Sequence, residues 1–418
     1  MRFLRAISRV LIGVIFILSG FFKAIDPIGG GLKIKEYLNA FHLGFLDFGS
    51  IPVSYVLAAA EFLIGVAVLK GIKMKFFAGA AFGFMVFFTI LTFYSALFNP
   101  VQDCGCFGEA VHLTNWETFF KNLVLLGAAA VIFFQRKKFE PIASPGWEMI
   151  YICIYALFIG GISGYAWVKM PQIDLGDYKA GTNLVDVEGM APEKVYHTVF
   201  IYSKDGKEKE FGIDNLPDST WQFVDSETSL VSEGGEKEGV DFILKDSAGN
   251  YVAGQILESE APLFFASFYN AGNVSERKKE RLRRLNDMLA ANGGVLYILS
   301  GLGVEETEKT FSGTGMPLLY SDYKTVLSFN RSNGGLTYID GGDIIEKWAS
   351  GNYPFHSVRR ILSRDPEVLM ANGIIGDQLF AELCLVLIFF MIVIIRFISK
   401  MLYKRYLSRL ESLENMNT

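Results

Sequence analysis

Cys104 and Cys106 stand one glycine apart in the string Asp103-Cys104-Gly105-Cys106-Phe107-Gly108. Paired thiols at that spacing can carry redox chemistry, hold a loop shut or contribute to a metal site. In an extended chain, Cα atoms two residues apart lie near the upper limit of roughly 6.8 Å for a disulfide. A Cys104–Cys106 bridge therefore needs a bend, which Gly105 can supply at low steric cost. So small a ring would be strained and easily reduced, which suits a switch better than a staple. Against this, segment 99–115 contains no Lys or Arg, and Asp103 and Glu109 disfavour a thiolate, leaving His112 as the nearby candidate cation. Three readings stay open for the pair: a redox-active dithiol, a structural disulfide, or metal ligation together with Asp103 or His112. Three or four ligands at zinc-like spacing are not visible, so no metal is expected.

Glu61 is the other residue with chemical potential. It stands in Ala58-Ala59-Ala60-Glu61-Phe62-Leu63, in the middle of an apolar run. An ionisable group there must be paired, protonated or beside water, so it should face a helix-bundle interior. Lys23 is its expected partner, and both a helix-to-helix hydrogen bond and a proton-handling role remain open. Cys153 and Cys384 lie in different apolar runs at depths about 15 Å apart, too far to bridge, and read as buried small hydrophobes. His42 and His197 carry no motif and read as surface groups.

The elements that position these residues follow from hydropathy. The 418 residues are too many for one ordinary domain, and the apolar residues gather in blocks while 170–370 reads as ordinary soluble protein. Blocks long enough to span a hydrocarbon core of about 30 Å occur at 6–25, 51–70, 76–98, 117–135, 149–168 and 379–398. The first could instead be a signal peptide, but no small-residue cleavage site follows it and Phe21, Phe22 and Lys23 continue it as an anchor. Arg2, Arg5, Arg9, Lys70, Lys73, Lys75, Arg136, Lys137, Lys138, Arg396, Lys400, Lys404, Arg405 and Arg409 all fall on one side. The opposite short loops and span ends offer Lys23, Lys33, Lys35 and Lys121. Basic loops stay cytoplasmic, so both termini are expected inside and the 170–375 domain outside. A net charge of −5 without an extended basic patch gives no footprint for nucleic acid.

Asp26-Pro27 and the Gly29-Gly30-Gly31 run mark the first outer loop and argue against a continuing helix, with 32–41 as a short interfacial helix. Beyond the fifth span, Tyr196 to Ser203 alternates apolar and polar ahead of a Lys204-Asp205-Gly206-Lys207 hairpin turn. From Asp241 onward strands are expected at 242–245, 251–252, 262–269, 295–299, 336–339 and 344–348, with a charged helix at 275–291. This alternation predicts an α/β sandwich.

The residues of the membrane part resemble the DoxX-like family, most closely its methylamine-utilisation (MauE) branch. The resemblance rests on Arg9-Val-Leu-Ile-Gly13, Ser19-Gly20-Phe-Phe-Lys23, Asp26-Pro27, Glu61 and Asp103-Cys-Gly-Cys-Phe-Gly108, and covers roughly residues 1–140. It implies a four-helix bundle linked to maturation of disulfide-containing periplasmic proteins, with Cys104 and Cys106 as the redox pair. The outer domain is similar to membrane-tethered thioredoxin-like thiol reductases at 241–250 and at Asn333-Gly-Gly-Leu-Thr-Tyr-Ile-Asp340. It departs from them twice. Tyr269-Asn-Ala-Gly-Asn273 replaces the Cys-x-x-Cys, and Gly334 replaces the expected proline, so this domain should bind rather than exchange disulfides.

The resulting expectation is a membrane all-α bundle, a four-helix DoxX-like core plus two further transmembrane helices, carrying an α/β thioredoxin-like extramembrane domain. Its divisions are 1–140 for the four-helix part, 141–170 for the fifth span, and 171–240 for a linker and small β unit. They continue with 241–365 for the thioredoxin-like domain, 376–398 for the sixth span and 399–418 for a cytoplasmic tail. The expected activity is thiol-disulfide exchange at Cys104 and Cys106 with a periplasmic protein in the bacterial inner membrane, supported by Asp103, Gly105, His112, Glu61 and Lys23. Membrane lipid is the surrounding partner, and a membrane quinone is the acceptor that analogy suggests. The rival class is a non-catalytic scaffold whose Cys-less domain holds a periplasmic partner, and small-molecule transport ranks last.

Overall fold

The computed structural model describes residues 2–101, 105–111, 113–140, 143–185, 196–204, 207–212, 221–230 and 240–416. Among them, six helices are long and apolar enough to cross a membrane, which makes this a multi-pass membrane protein. The first five spans lie in α1 (Arg2–Ile25), α3 (Ser50–Lys70), α4 (Met74–Phe98), α5 (Asn115–Phe134) and α6 (Pro145–Val168), with the short α2 (Pro27–Ala40) between the first two. The sixth belongs to a single helix, Pro366–Met416. Its apolar stretch begins earlier than the expected 379–398, at Pro366–Ile394. The helix also runs on through most of the expected tail, because neither Gly nor Pro interrupts 377–416.

Small residues decide how α1 and α3 meet. A Cβ on Gly20 would lie 2.4 Å from the Phe62 nitrogen, one on Gly65 2.6 Å from the Ile17 nitrogen, and one on Gly13 2.6 Å from the Leu69 Cβ. The two backbones touch along an antiparallel seam where side chains have no room, and close backbone approach of this kind is how apolar helices gain attraction inside lipid.

The glycine run behaves otherwise than the sequence suggests. Gly29, Gly30 and Gly31 lie inside α2, which opens at Pro27 directly after α1, with Asp26 as its N-cap accepting from the Gly29 nitrogen at 2.8 Å. Gly30 and Gly31 lie where α2 presses on α3, a Cβ on Gly30 standing 2.3 Å from Ser54 Oγ and one on Gly31 2.8 Å from Ile51 Cγ1, whereas a Cβ on Gly29 would meet Asp26 Oδ2 at 2.3 Å. The loop before α5 contributes a short strand, β1 (Cys106–Glu109).

The extramembrane part combines sheets and helices. β2 (Leu184–Val185) pairs in parallel with β6 (Val240–Asp241). β3 (Tyr196–Lys204) lies between β4 (Lys207–Gly212) and β5 (Gln222–Leu230) in an antiparallel sheet; Asp205 and Gly206 of the expected turn are outside the described residues. The main sheet has the order β11-β10-β7-β8-β9. It is built from β7 (Leu263–Phe268), β8 (Val295–Ser300), β9 (Leu318–Tyr320), β10 (Gly335–Asp340) and β11 (Asp343–Trp348). β7, β8 and β9 run parallel while β10 is antiparallel to β7 and β11. β7 is buried throughout and apolar but for Ser267, because both faces are covered: Phe264, Ala266 and Phe268 enter one core with the helix Glu276–Ala290, and Leu263 and Phe265 enter another.

Two expectations need correcting. Segments 242–245 and 251–252 do not form a strand pair; they reduce to isolated bridges from Lys245 to Tyr251 and Tyr320. The Asp246 side chain gathers the Ala248 and Asn250 nitrogens into a tight turn, and a helix starts at Ala253 before a second strand can grow. Cys153 is exposed on the outer side of α6 whereas Cys384 is buried, so the buried-hydrophobe reading holds only for Cys384.

Candidate functional site

β1 lies against α1 and drops the Cys106 end of the loop into the bundle. Gly105 has φ +61° and Gly108 φ +60°, a left-handed region that glycine enters without strain, and the Gly108 nitrogen donates to the Gly105 carbonyl at 3.0 Å. Beneath the turn is a buried polar triad. Lys23 Nζ donates to both Glu61 oxygens at 2.7 Å and to Ser19 Oγ at 3.1 Å. Ser19 Oγ in turn lies 2.6 Å from Glu61 Oε2 and 2.6 Å from the Cys106 carbonyl oxygen. One hydroxyl proton thus faces two acceptors, so the loop's backbone and the ion pair compete for the same donor. Lys23 and Glu61 are 7% and 4% exposed; at that burial the two charges stand only because they neutralise each other.

The triad borders a narrow cavity of about 40 Å³, room for a few waters, whose lining includes Ser19, Lys23, Glu61, Cys106, Phe107 and Lys121. Lys121 of α5 sits over the Phe107 ring at 4.6 Å. Lys33 of α2 lies against Gly105, 3.0 Å from where a Cβ would stand. Other elements thus close around the turn with the Lys33 stem from α2 and Lys121 from α5, while the Lys23 ammonium is committed to Glu61 and that of Lys33 bonds Glu36 at 3.4 Å. On its other side Cys106 reaches a second cavity of about 290 Å³ between α2, α3 and α4, lined chiefly by Ile34, Leu38, Val53, Leu57, Phe87 and Leu91. Lys23, Phe88 and Cys106 line both spaces.

The extramembrane domain sits on α2, next to this pocket. Asp26 Oδ2 receives Arg331 Nη2 at 2.9 Å and Nε at 3.0 Å, with both side chains buried, so Asp26 caps α2 and anchors the domain at once. Around this pair Lys324 bonds Glu36, Lys35 lies 4.9 Å over the Tyr323 ring, and Leu327 packs with Ile28 and Leu32. A second buried contact, Lys347 to Asp174 at 2.7 Å, lies close enough for Lys347 to feel both Asp26 and Arg331. Burial pulls the Lys347 ammonium below its ordinary pKa, while Asp174 holds it up.

Tyr269, directly after β7, points into the same junction. Burial, with Tyr323 beside it, pushes its phenol up to about 12, so it stays a donor at neutral pH and binds the Arg331 carbonyl at 2.8 Å. Asn333 lies beside it. Its Oδ1 accepts from the Tyr269 and Asn270 nitrogens at 3.0 and 3.1 Å, and its Nδ2 donates to the Asn270 carbonyl at 2.8 Å. This end of the domain is closed by amide hydrogen bonds and faces the membrane part.

Of the residues singled out from sequence, the structure brings Lys23, Glu61, Gly105 and Cys106 together. Asp103, Cys104 and His112, and with them the Cys104–Cys106 bridge, lie outside the described residues. Sequence reasoning quoted Ser19 only within a motif, weighed Lys33 and Lys121 only as charges for orientation, and gave Arg331 no role. Ser19 and Lys23 are one helical turn apart facing Glu61, a spacing that could have exposed the triad.

Two family models match. Residues 1–135 match the methylamine utilisation protein MauE, and residues 196–233, the stretch of the β3–β5 sheet, match a domain of unknown function, DUF8463. Among curated proteins, Protein TlpB of Flavobacterium psychrophilum is 25% identical over 137 residues, 31% of this chain. The match spans 36% of that protein, so the chain parallels about a third of its length. No solved structure matches.

Proposed function

We propose that this membrane protein exchanges thiols and disulfides with a periplasmic protein through Cys104 and Cys106. A partner thiolate attacks one sulfur of the Cys104–Cys106 disulfide, the S–S bond breaks, and a mixed disulfide forms while the other cysteine leaves as thiolate. A second partner thiol resolves that intermediate, so the partner leaves oxidised and the pair leaves as two thiols that take up the two protons lost by the partner's thiols. The observation that carries this reading is the setting of Cys106: a glycine-hinged turn with Lys121 of α5 over the adjoining Phe107 ring, next to a buried polar triad. Cations near a cysteine favour the thiolate, the form that both attacks and leaves. The match to MauE over 1–135 is compatible with a role in protein maturation.

The same reading places the protein in a bacterial inner membrane with both termini inside, supported by the distribution of Lys and Arg. It takes residues 1–140 as a DoxX-like four-helix core. It takes the main sheet as thioredoxin-like, with which a sheet whose one reversed strand is β10 and a buried, largely apolar β7 ahead of Tyr269 are compatible. The sealed Tyr269–Asn333 end makes that domain a fixed cap on α2, holding a partner near the Cys106 turn without exchanging disulfides itself.

Trapping tests the exchange. Cys106→Ser and Cys104→Ser are each expressed in intact cells, quenched with acid and resolved without reductant. At least one is expected to accumulate a reductant-sensitive adduct with a periplasmic protein. If neither does, and mass shifts after alkylation show the parent bridge resisting mild reductant, the disulfide is a staple and the protein a scaffold.

A further inference from the structure

We infer that the Lys169 end of α6 carries a binding site for the headgroup of an anionic phospholipid, built by Lys169 together with Arg281 and Arg284 of the extramembrane domain. The site shares no residue with the cysteine turn or with the two cavities beside it.

Three basic side chains converge there. Lys169 ends α6, its nitrogen still bonded to the Tyr165 carbonyl at 2.9 Å, and its ammonium lies 3.3 Å from where a Cβ on Gly351 would stand. From the other side Arg281 Nη2 donates to the Gly351 carbonyl at 3.2 Å. The Arg281 guanidinium also lies 5.0 Å from the centre of the Tyr353 ring and 5.5 Å from that of Phe355, and Arg284 lies 5.4 Å from the same Phe355 ring. Two guanidiniums and an ammonium are thus gathered without a counter-charge: among the described residues no ion pair includes Lys169, Arg281 or Arg284. Glu280 and Asp287 share the helix Glu276–Ala290 with the two arginines yet pair with neither. The surplus is felt at Lys278, whose ammonium is pulled below its ordinary pKa by burial and by Arg281. Stacking on a ring steadies a guanidinium plane and leaves its N–H edge free, ready to receive two oxygens of one phosphate.

The bilayer presents phosphate at this height. Lys169 closes a helix of spanning length, and Tyr165 and Trp167 just before it are 51% and 44% exposed, as aromatic residues of the headgroup layer are. Arg281 meets Lys169 at Gly351, so the arginines stand at that layer too. A free anion or an acidic peptide would need no such placement, which makes lipid the favoured occupant. A phosphodiester with an uncharged headgroup, as in phosphatidylglycerol, satisfies three cations, whereas the ammonium of phosphatidylcholine adds a charge that they repel. Bound there, the headgroup gives the extramembrane domain a second footing, apart from the Asp26–Arg331 pair.

The test uses the full-length protein in phosphatidylcholine nanodiscs carrying increasing fractions of phosphatidylglycerol with a photoreactive headgroup, and maps the cross-linked peptides by mass. Cross-links are expected within 165–169 and 351–357, saturating with phosphatidylglycerol and fading as salt is raised to about 0.5 M. Arg281→Gln and Arg284→Gln should each raise the half-saturating fraction about fivefold, and the double variant about twentyfold. Phe355→Leu, which keeps every charge and removes the ring, should raise it about threefold. Arg283→Gln removes the same charge from the same helix, but Arg283 bonds the Gly313 carbonyl instead, so that variant should label like the parent. An Arg283→Gln effect as large as the others, or equal labelling by a photoreactive phosphatidylcholine, would reduce the site to diffuse charge and overturn it. So would labelling that survives unchanged in both the double variant and Phe355→Leu. If the lipid leaves these segments unlabelled while soluble polyglutamate binds the parent and not the double variant, the face belongs to an acidic protein partner and the lipid site is overturned.

Discussion

Lys23 and Glu61 illustrate what a charge inside a membrane demands. Three donors of one ammonium are spent on two carboxylate oxygens and the Ser19 hydroxyl, which leaves the pair nearly self-contained at 2.7 Å. Removing one partner strands the other in a low dielectric, at a cost of about 3–5 kcal/mol, whereas removing both leaves only a hydrogen-bonding deficit. Lys23→Met is therefore expected to lower the thermal midpoint of the detergent-solubilised protein markedly, Glu61→Gln less so, and the double variant to recover most of the loss. A double variant as unstable as the sum of the singles would show that the charges are not coupled. The hydroxyl shared between Glu61 and the Cys106 carbonyl adds a second readout: Ser19→Ala should loosen the β1 turn and speed alkylation of Cys106 in the reduced protein.

At the scale of elements, the seam between α1 and α3 sets the site, because it fixes the height of Ser19 and Lys23 over Glu61. A side chain at Gly20 would collide with the backbone of Phe62 at 2.4 Å, where nothing can yield without parting the helices. Gly20→Val should destabilise by about 3 kcal/mol or more. Gly127→Ala, on α5 where no atom lies within 4 Å of the added carbon, should be neutral or slightly stabilising. Equal melting shifts for the two would refute the seam. The same contrast explains what the sequence makes legible. Apolar runs of span length announce five helices and part of a sixth, and β7 and β8 follow from buried β-branched and aromatic residues flanked by turns. The cysteine string is local, and an ionisable residue in an apolar run must find a partner, so Glu61 and Lys23 could be paired on physical grounds. α2 was obscured because glycine usually signals a break, whereas here Gly30 and Gly31 mark close approach to α3. Lys121 and Arg331 were out of view because their neighbours come from distant parts of the chain, which no local pattern encodes.

At the scale of the molecule, a buried charged junction joins α2 to the extramembrane domain. Asp26 both caps α2 and receives Arg331, and Tyr269 binds the Arg331 carbonyl, so the roof of the apolar pocket and this end of the extramembrane domain share a buried ion pair beside the packing of Leu327 on Ile28 and Leu32. The flanking contacts, Lys324 with Glu36 and Lys35 over Tyr323, are more exposed and worth less, about 0–1 kcal/mol each. The buried pair should therefore dominate docking. Asp26→Asn keeps a competent cap, since Asn serves there about as well as Asp, but removes the charge and strands Arg331. Arg331→Met strands Asp26 instead. Either is expected to raise hydrogen exchange in both 27–40 and 323–331 while leaving β7 and β8 protected, because the sheet core does not depend on the junction. The double variant should restore part of the protection, and Lys324→Met alone should change little. Protection in 27–40 that survives every one of these substitutions would mean that α2 is held by α3 alone and the outer domain merely rests on it. If undocking instead frees α2, the pocket beneath it opens as well, and the rate at which Cys106 is alkylated becomes a direct measure of how firmly the domain is seated.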